Sequence, residues 1–253
     1  MDIFSLAGRT SLITGASRGI GFATARALAS AGARVVLNGR DAGALAVAAT
    51  TLRAQGYAIE TAAFDVTDAQ AAKAGVEAVE QEIGAIDILV NNAGIQRRGA
   101  LETFKDEDWR ALMSTNVDSV YYMSKAVALG MIARGRGKII NIGSVQCELA
   151  RPGIAPYTAT KGAVRNLTRG MCADWAPHGL QINAIAPGYF DTPLNKALVD
   201  DPEFSAWICK RTPAGRWGKL EDLAGIAIFL ASSASDFVNG QVIHVDGGIV
   251  SVI

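Results

Sequence analysis

The sequence predicts an α/β protein built on a doubly wound parallel sheet of about seven strands with helices on both faces. Short, nearly continuous apolar runs recur along the whole chain, as strands buried on both faces require. Between them lie alanine-rich or amphipathic stretches of helical length, so strand and helix alternate from start to finish. No linker, repeat or low-complexity tract interrupts the 253 residues, which predicts a single domain over residues 1–253.

The elements follow in order. Residues 10–14 read as a buried strand, 15–21 as a glycine-rich turn and 20–31 as an alanine-rich helix. Residues 34–38 form the next strand, and Asp41 caps a helix running to about 55. A third strand covers 58–64, Thr67 or Asp68 caps the following helix, and 86–90 is a fourth strand. A long helix lies within 106–134, followed by a strand at 138–142, a helix at 156–176 and a strand at 181–186. A helix at 220–232 and a strand at 242–245 complete the pattern. The stretch 189–218 departs from it, with weak periodicity and three prolines, Pro193, Pro202 and Pro213. It follows the C-terminal end of a strand, where ligands bind in open α/β sheets, so it is expected to be a substrate lid.

Composition excludes several functions. Half the residues are apolar and the formal net charge is zero, giving no electrostatic reason for nucleic acid or an anionic membrane as partner. Cys147, Cys172 and Cys209 are odd in number and lack CxxC spacing, which predicts free thiols in a reducing compartment. The first residues carry no signal-peptide pattern, and the apolar stretch 223–235 is too short to span a bilayer. A cytoplasmic protein is expected. His178 and His244 are far apart in sequence with no carboxylate pattern beside them, so no metal site is expected.

The turn after the first strand reads Thr14-Gly15-Ala16-Ser17-Arg18-Gly19-Ile20-Gly21. Glycines allow a tight turn and close approach to a diphosphate, and the helix that follows offers free N–H groups and its positive dipole end. Gly15, Ser17, Arg18, Gly19, Ile20 and Gly21 are therefore candidate cofactor contacts. The second strand ends Leu37-Asn38-Gly39-Arg40, without the acidic residue that holds the ribose of NAD. Arg18 and Arg40 suit a 2′-phosphate instead. With Asn38 beside them they make NADP the expected cofactor and NAD the alternative.

Tyr157 and Lys161 stand four apart in a predicted helix and share a face. A nearby ammonium favours the phenolate, which would make Tyr157 a general base or acid. Ser144, just past the strand at 138–142, can hydrogen-bond a carbonyl or carbinol oxygen. With Asn91-Asn92-Ala93-Gly94, the glycine turn and Pro187-Gly188, these residues resemble the short-chain dehydrogenase/reductase family over essentially the whole chain. The resemblance implies a Rossmann-type fold and hydride transfer between NADP(H) and a CH–OH group. It implies that Ser144, Tyr157 and Lys161 are catalytic, and that Asn116 holds a water connecting Lys161 to solvent. It also implies that Asp65 and Val66 flank the adenine, that Asn91, Asn92, Ala93 and Gly94 line the cleft, and that Pro187, Gly188, Phe190 and Thr192 lie near the nicotinamide. Family members are usually tetramers, so a homotetramer or homodimer is expected, through the helix at 156–176 with its small residues Ala159, Gly162, Ala163 and Gly170.

Finer motifs at 91–98, 144–151, 186–190 and 210–218 are similar to the branch of that family acting on gluconate and 5-keto-gluconate. Cys147 and Ala150 depart from it, standing where serine and glycine are expected. A sugar-acid substrate is thus implied, with Arg97 pairing its carboxylate and Gln96, Gln146, Glu148 and Tyr189 meeting its hydroxyls. The alternatives are a 2-dehydro-3-deoxy-gluconate 5-dehydrogenase, a 3-oxoacyl carrier-protein reductase and, in another class, a non-catalytic dinucleotide-binding scaffold.

Overall fold

The protein is seen here as a computed structural model in which residues 2–253 are described. Seven strands form one sheet: β1 (Thr10–Ile13), β2 (Arg34–Gly39), β3 (Ile59–Ala63), β4 (Ile88–Asn91), β5 (Gly137–Ile142), β6 (Leu180–Pro187) and β7 (Val242–Val245). Their order is β3-β2-β1-β4-β5-β6-β7, and every neighbouring pair is parallel. The order reverses between β1 and β4. A crevice opens at that point outside the carboxyl ends of the strands.

Consecutive side chains of a strand point to opposite faces, and the apolar runs divide accordingly. Ile13, Val35, Leu37, Val90 and Ile140 pack on one face, with Leu28, Leu45 and Leu230 from the helices α1 (Gly19–Ser30), α2 (Ala42–Arg53) and α9 (Ala224–Ala231). Leu12, Val36, Leu89, Ile139 and Ile182 pack on the other, with Val76, Met123 and Val164 from α3 (Ala69–Glu82), α5 (Ser119–Arg134) and α6 (Ala155–Trp175). Continuous apolar runs were needed in the central strands because those strands feed both cores.

The helix starts are capped as their sequences suggest. The Asp41 carboxylate accepts from Ala44 N at 3.0 Å. Asp68, rather than Thr67, caps α3, accepting from the amides of Gln70 and Ala71. The long helix expected within 106–134 is α4 (Asp106–Met113) and α5 joined by a π-turn at Ser114–Asp118. The expected helix at 220–232 begins as a tighter turn, Leu220–Leu223, before α9. The stretch 189–218 is helical where its prolines suggested irregular chain. It holds α7 (Lys196–Val199) and α8 (Pro202–Arg211), the latter with Pro202 in its first turn and the Asp201 carboxylate as cap.

Candidate active site

A cleft of about 760 Å³ runs along the carboxyl ends of the strands, from the glycine turn to the loop after β6. The glycine turn forms one end. Gly15 has φ +61° and Gly19 φ +60°, a conformation that side chains disfavour. A Cβ on Gly15 would lie 3.0 Å from Ala93 Cα, so the β1 and β4 loops meet without room for one. Thr14 Oγ1 accepts from the amides of Asn92 and Ala93 at 2.9 and 3.0 Å. Asn92 Nδ2 donates back to the carbonyls of Thr14 and Gly15 at 2.9 Å each. The two strands that part at the switch point are thereby bolted together where the cleft begins.

Gly15, Ser17, Arg18, Gly19, Ile20, Asn92, Ala93 and Gly94 all line the cleft, as expected. Gly21 does not. A Cβ there would sit 2.4 Å from Asn92 Nδ2 and 2.5 Å from Gly15 O, so this glycine lets α1 pack against the turn. Asn91 also faces away from the cleft. Its amide donates to Ser124 Oγ and Asn141 Oδ1 at 2.9 Å, inside the core between β4, β5 and α5.

At the other side of the switch point, Asn38, Arg40, Asp65 and Val66 line the cleft. The Asn38 amide is engaged by the carbonyls of Ala62 and Phe64 at 3.0 and 3.2 Å, so this side chain holds β2 to the end of β3. Asp41, the next residue after Arg40, also lines the cleft, with its Oδ1 accepting the cap bond from Ala44 N at 3.0 Å. Arg40 is 75% exposed and only loosely paired with Asp65 at 3.8 Å. Burial pushes the Asp65 carboxyl up, but hydrogen bonds from Thr67 and the charge of Arg40 outweigh this and hold it below its ordinary range. Two arginines, the start of α1 and a floor of glycines thus meet a ligand's anionic end, and the residues present fit a phosphorylated dinucleotide.

The catalytic candidates converge at the middle of the cleft. Ser144, Tyr157 and Lys161 all line it. Ser144 leaves β5 as the cap of the short turn Val145–Cys147, its Oγ accepting from Gln146 N at 3.2 Å. Tyr157 and Lys161 stand one turn apart near the start of α6. Lys161 Nζ donates to Ile142 O at 2.8 Å and lies 5.7 Å from the Tyr157 ring centre. The expectation of a phenolate favoured by Lys161 needs correction. Burial pushes Tyr157 up to about 12, and the Ser144 hydrogen bond and the charge of Arg98 offset this only in part. Burial likewise brings Lys161 down to about 8. Burial thus favours the neutral phenol at Tyr157, beside a Ser144 hydroxyl that lines the same cleft.

Asn116 sits in the π-turn, buried. Its Oδ1 accepts from Ile95 N at 2.8 Å, and its Nδ2 donates to Ile95 O and to Thr160 Oγ1 at 3.0 and 3.2 Å. Its side-chain amide is thus engaged by protein through both its oxygen and its nitrogen. It ties the β4 loop to the first turns of α6. Pro187, Gly188, Phe190 and Thr192 line the cleft beyond the catalytic trio. A Cβ on Gly188 would meet Asp246 Cα at 2.8 Å.

The expected substrate contacts divide. Gln96, Gln146 and Tyr189 line the cleft. Arg97 does not: it points out and pairs with Asp108 at 3.1 Å. Neighbours in extended chain face opposite ways, and it is Arg98 that turns in. Glu148 is also outside the cleft, paired with Arg165 of α6 at 3.0 Å. Instead the carboxylate of Glu148, the thiol of Cys147 and the imidazole of His244 come together, a juxtaposition that the sequence separation of His244 concealed.

Arg151 joins Arg98 in the cleft. The sequence assigned it no role, although it ends the 144–151 motif that Ser144 begins, because nothing in that run shows which way its last residue faces. It stacks over Phe204 at 5.4 Å, in an aromatic group with Tyr189 and Trp217 that belongs to the 189–218 excursion. Burial and then the like charge of Arg151 push the Arg98 guanidinium below its ordinary range, against a pull from Tyr189 and Tyr157. Among the described residues neither arginine has a carboxylate partner within salt-bridge distance.

A family model described as enoyl-(acyl carrier protein) reductase matches residues 15–250. The chain is 62% identical over 248 residues to a gluconate 5-dehydrogenase of Gluconobacter oxydans (strain 621H), covering 98% of this chain and 97% of the relative. The chain belongs to the short-chain dehydrogenase/reductase family. It is 49% identical over 252 residues to a 5-keto-D-gluconate 5-reductase of Escherichia coli (strain K12), covering 100% and 99%. Among solved structures it is similar to a gluconate 5-dehydrogenase from Burkholderia cenocepacia J2315 in complex with NADP and tartrate, with a TM-score of 0.98 and 60% identity over 100% of this chain and 99% of that one. The seven-stranded sheet of this short-chain dehydrogenase/reductase is the one its sequence predicted. No described helix is long and apolar enough to cross a membrane.

Proposed function

We propose that the protein interconverts a secondary alcohol and a ketone on a sugar acid, with NADP(H) as hydride partner and 5-keto-D-gluconate and D-gluconate as the pair. The observation that carries the substrate class is the pairing of Arg98 and Arg151 in the cleft with Tyr157 and Ser144. Two neighbouring guanidiniums without a carboxylate partner leave their donors open to charge-assisted bonds with an anion. A sugar carboxylate supplies it, and Gln96, Gln146 and Tyr189 offer partners for hydroxyls. The relatives named for gluconate chemistry, and one solved with NADP and tartrate, support the same reading.

The nicotinamide, when bound, supplies or accepts the hydride. The chain's own groups do the rest. Arg18, Arg40, Gly15, Gly19 and the start of α1 hold the phosphates. Ser144 and Tyr157 bond the substrate oxygen, and Tyr157 gives it a proton in reduction or takes one in oxidation. Lys161 sets the charge beside the phenol.

The reading includes a single domain over residues 1–253 in which 189–218 acts as the lid, since Tyr189, Phe190, Leu194 and Leu198 line the cleft. It includes a homotetramer: β7 is an edge strand whose residues are all half-buried, and Trp109, Tyr121 and Leu129 leave apolar surface on α4 and α5 exposed. The three unpaired cysteines fit the cytoplasm.

The test follows nicotinamide absorbance with NADPH and NADH, each offered 5-keto-D-gluconate and an acetoacetyl thioester. NADPH with 5-keto-D-gluconate is expected to be the fastest pair. In Arg98→Met the KM for the sugar acid should rise about 10–100-fold, as loss of a charged hydrogen bond implies, with NADPH affinity unchanged. An unchanged KM, or faster reduction of the thioester, overturns the substrate assignment.

A further inference from the structure

We propose that Cys147, Glu148 and His244 form a binding site for a soft divalent cation of the Zn²⁺ class, placed beside the catalytic serine. One sulfur, one carboxylate oxygen and one imidazole nitrogen from these residues lie within 4.8 Å of one another. Two distant segments bring them together. Cys147 and Glu148 end the turn that Ser144 caps, and His244 stands on β7 in register with Ala186 of β6.

Three observations point to a ligand here. The Nε2 atom of His244 is buried and has no hydrogen-bond partner among the described residues. Buried polar atoms are nearly always satisfied, and a ring nitrogen without a partner is suited to a metal. Cys147 is a free, half-buried thiol. The donor set is also specific in its chemistry. Sulfur and imidazole with one carboxylate suit Zn²⁺, whereas Mg²⁺ and Ca²⁺ take oxygen ligands. Three protein ligands leave the fourth tetrahedral position to water.

Binding balances simply. The S–H bond of Cys147 breaks, its proton passes to solvent, and the sulfur lone pair forms the metal bond. Glu148 exchanges its 3.0 Å ion pair with Arg165 for the cation. Arg165 keeps its second bond, to Cys147 O at 3.3 Å, so its charge stays within reach of the loop it now braces. Thiolate and carboxylate together neutralise the cation. An occupied site ties the Ser144 turn to β7, and Gln146, which lies between Ser144 and Cys147, faces the cleft. The site is thus a lever on the catalytic turn that does not itself touch the reacting atoms.

The experiment titrates the full-length protein with Co²⁺ and reads thiolate-to-cobalt charge-transfer absorption, then displaces it with Zn²⁺. One equivalent of Co²⁺ is expected to give the band. Cys147→Ser should abolish it, His244→Gln should weaken apparent affinity at least about tenfold, and Cys172→Ser should leave it intact. NADPH binding by each variant reports that it is folded. Absence of the band in the unaltered protein overturns the proposal, as does a band that survives Cys147→Ser or keeps its affinity in His244→Gln. The readout needs no sugar-acid turnover, so it stands or falls apart from the substrate assignment.

Discussion

At the scale of single residues, the protonation of two neighbours would set the pH dependence of each direction of turnover. Tyr157 is held near 12 by burial and Lys161 near 8 by the same cause. The phenol is therefore protonated across the neutral range, ready to donate in reduction. The Lys161 ammonium, which stabilises the phenolate left behind, is lost as pH rises through about 8. Reductive turnover should be flat below that pH and fall above it, while oxidation, which releases a proton, should rise over the same window. Pre-steady-state rates against pH check both limbs, and a reductive rate that climbs through pH 8 contradicts the assignment. Tyr157→Phe should lower turnover in both directions by about 10²–10⁴-fold, the usual value of a positioned general acid–base. Residue roles were only partly legible in the sequence. That Ser144, Tyr157 and Lys161 would meet in one cleft could be read from the family resemblance of the whole constellation. The choice between Arg97 and Arg98 depends on which way one extended residue faces, and sequence carries no sign of that. Glu148 looked like a hydroxyl ligand because it follows Ser144 closely, but the turn it ends carries it around to Arg165.

At the scale of elements, the junction of the β1 and β4 loops is the most constrained part of the site. Gly21 is the sharpest instance, since a methyl there would overlap an amide nitrogen and a backbone oxygen. Gly21→Ala should therefore destabilise the protein by about 1–3 kcal/mol through overpacking. Thermal unfolding should show a midpoint lower by roughly 5 °C, and NADPH affinity should fall with it. An unchanged midpoint would show that the loops yield freely. The glycine turn itself was readable, because strand, glycines and helix appear in order. The bolting hydrogen bonds were not, since Thr14 and Asn92 are 78 residues apart. Nor was α8 expected, because Pro202 and Pro213 read as breaks. One of them sits in a first turn, where a missing N–H costs nothing, and the other lies beyond the helix end.

At the scale of the whole molecule, the cleft crosses the switch point, so a bound dinucleotide touches both halves of the sheet. A ligand held only by the folded state raises stability by about 2.7 kcal/mol at a hundred times its dissociation constant. NADPH should therefore raise the unfolding temperature more than NADH at equal concentration. In Arg40→Ala the two shifts should become similar, because the exposed guanidinium is lost while the shared contacts remain. Equal shifts in the unaltered protein would place Arg40 among solvated surface groups. The architecture as a whole was legible because the central strands must feed two cores, a demand that leaves unbroken apolar runs. The helices within 189–218 were less so, because that stretch lies outside the periodic pattern.

The π-turn at Ser114–Asp118 bears on how the chain tolerates changes in length. Such a turn is an α-helix with one residue stored in it. Losing a residue there would leave an ordinary helix, well bonded and still amphipathic, but with Asn116 swung away from Ile95 and Thr160. Losing one farther along α5 would rotate the part beyond it by about 100°, turning the core residues on that side, such as Met131, away from the sheet. Deletions in this helix thus divide cleanly: at one spot the loss falls on the reaction, and everywhere else it falls on the fold.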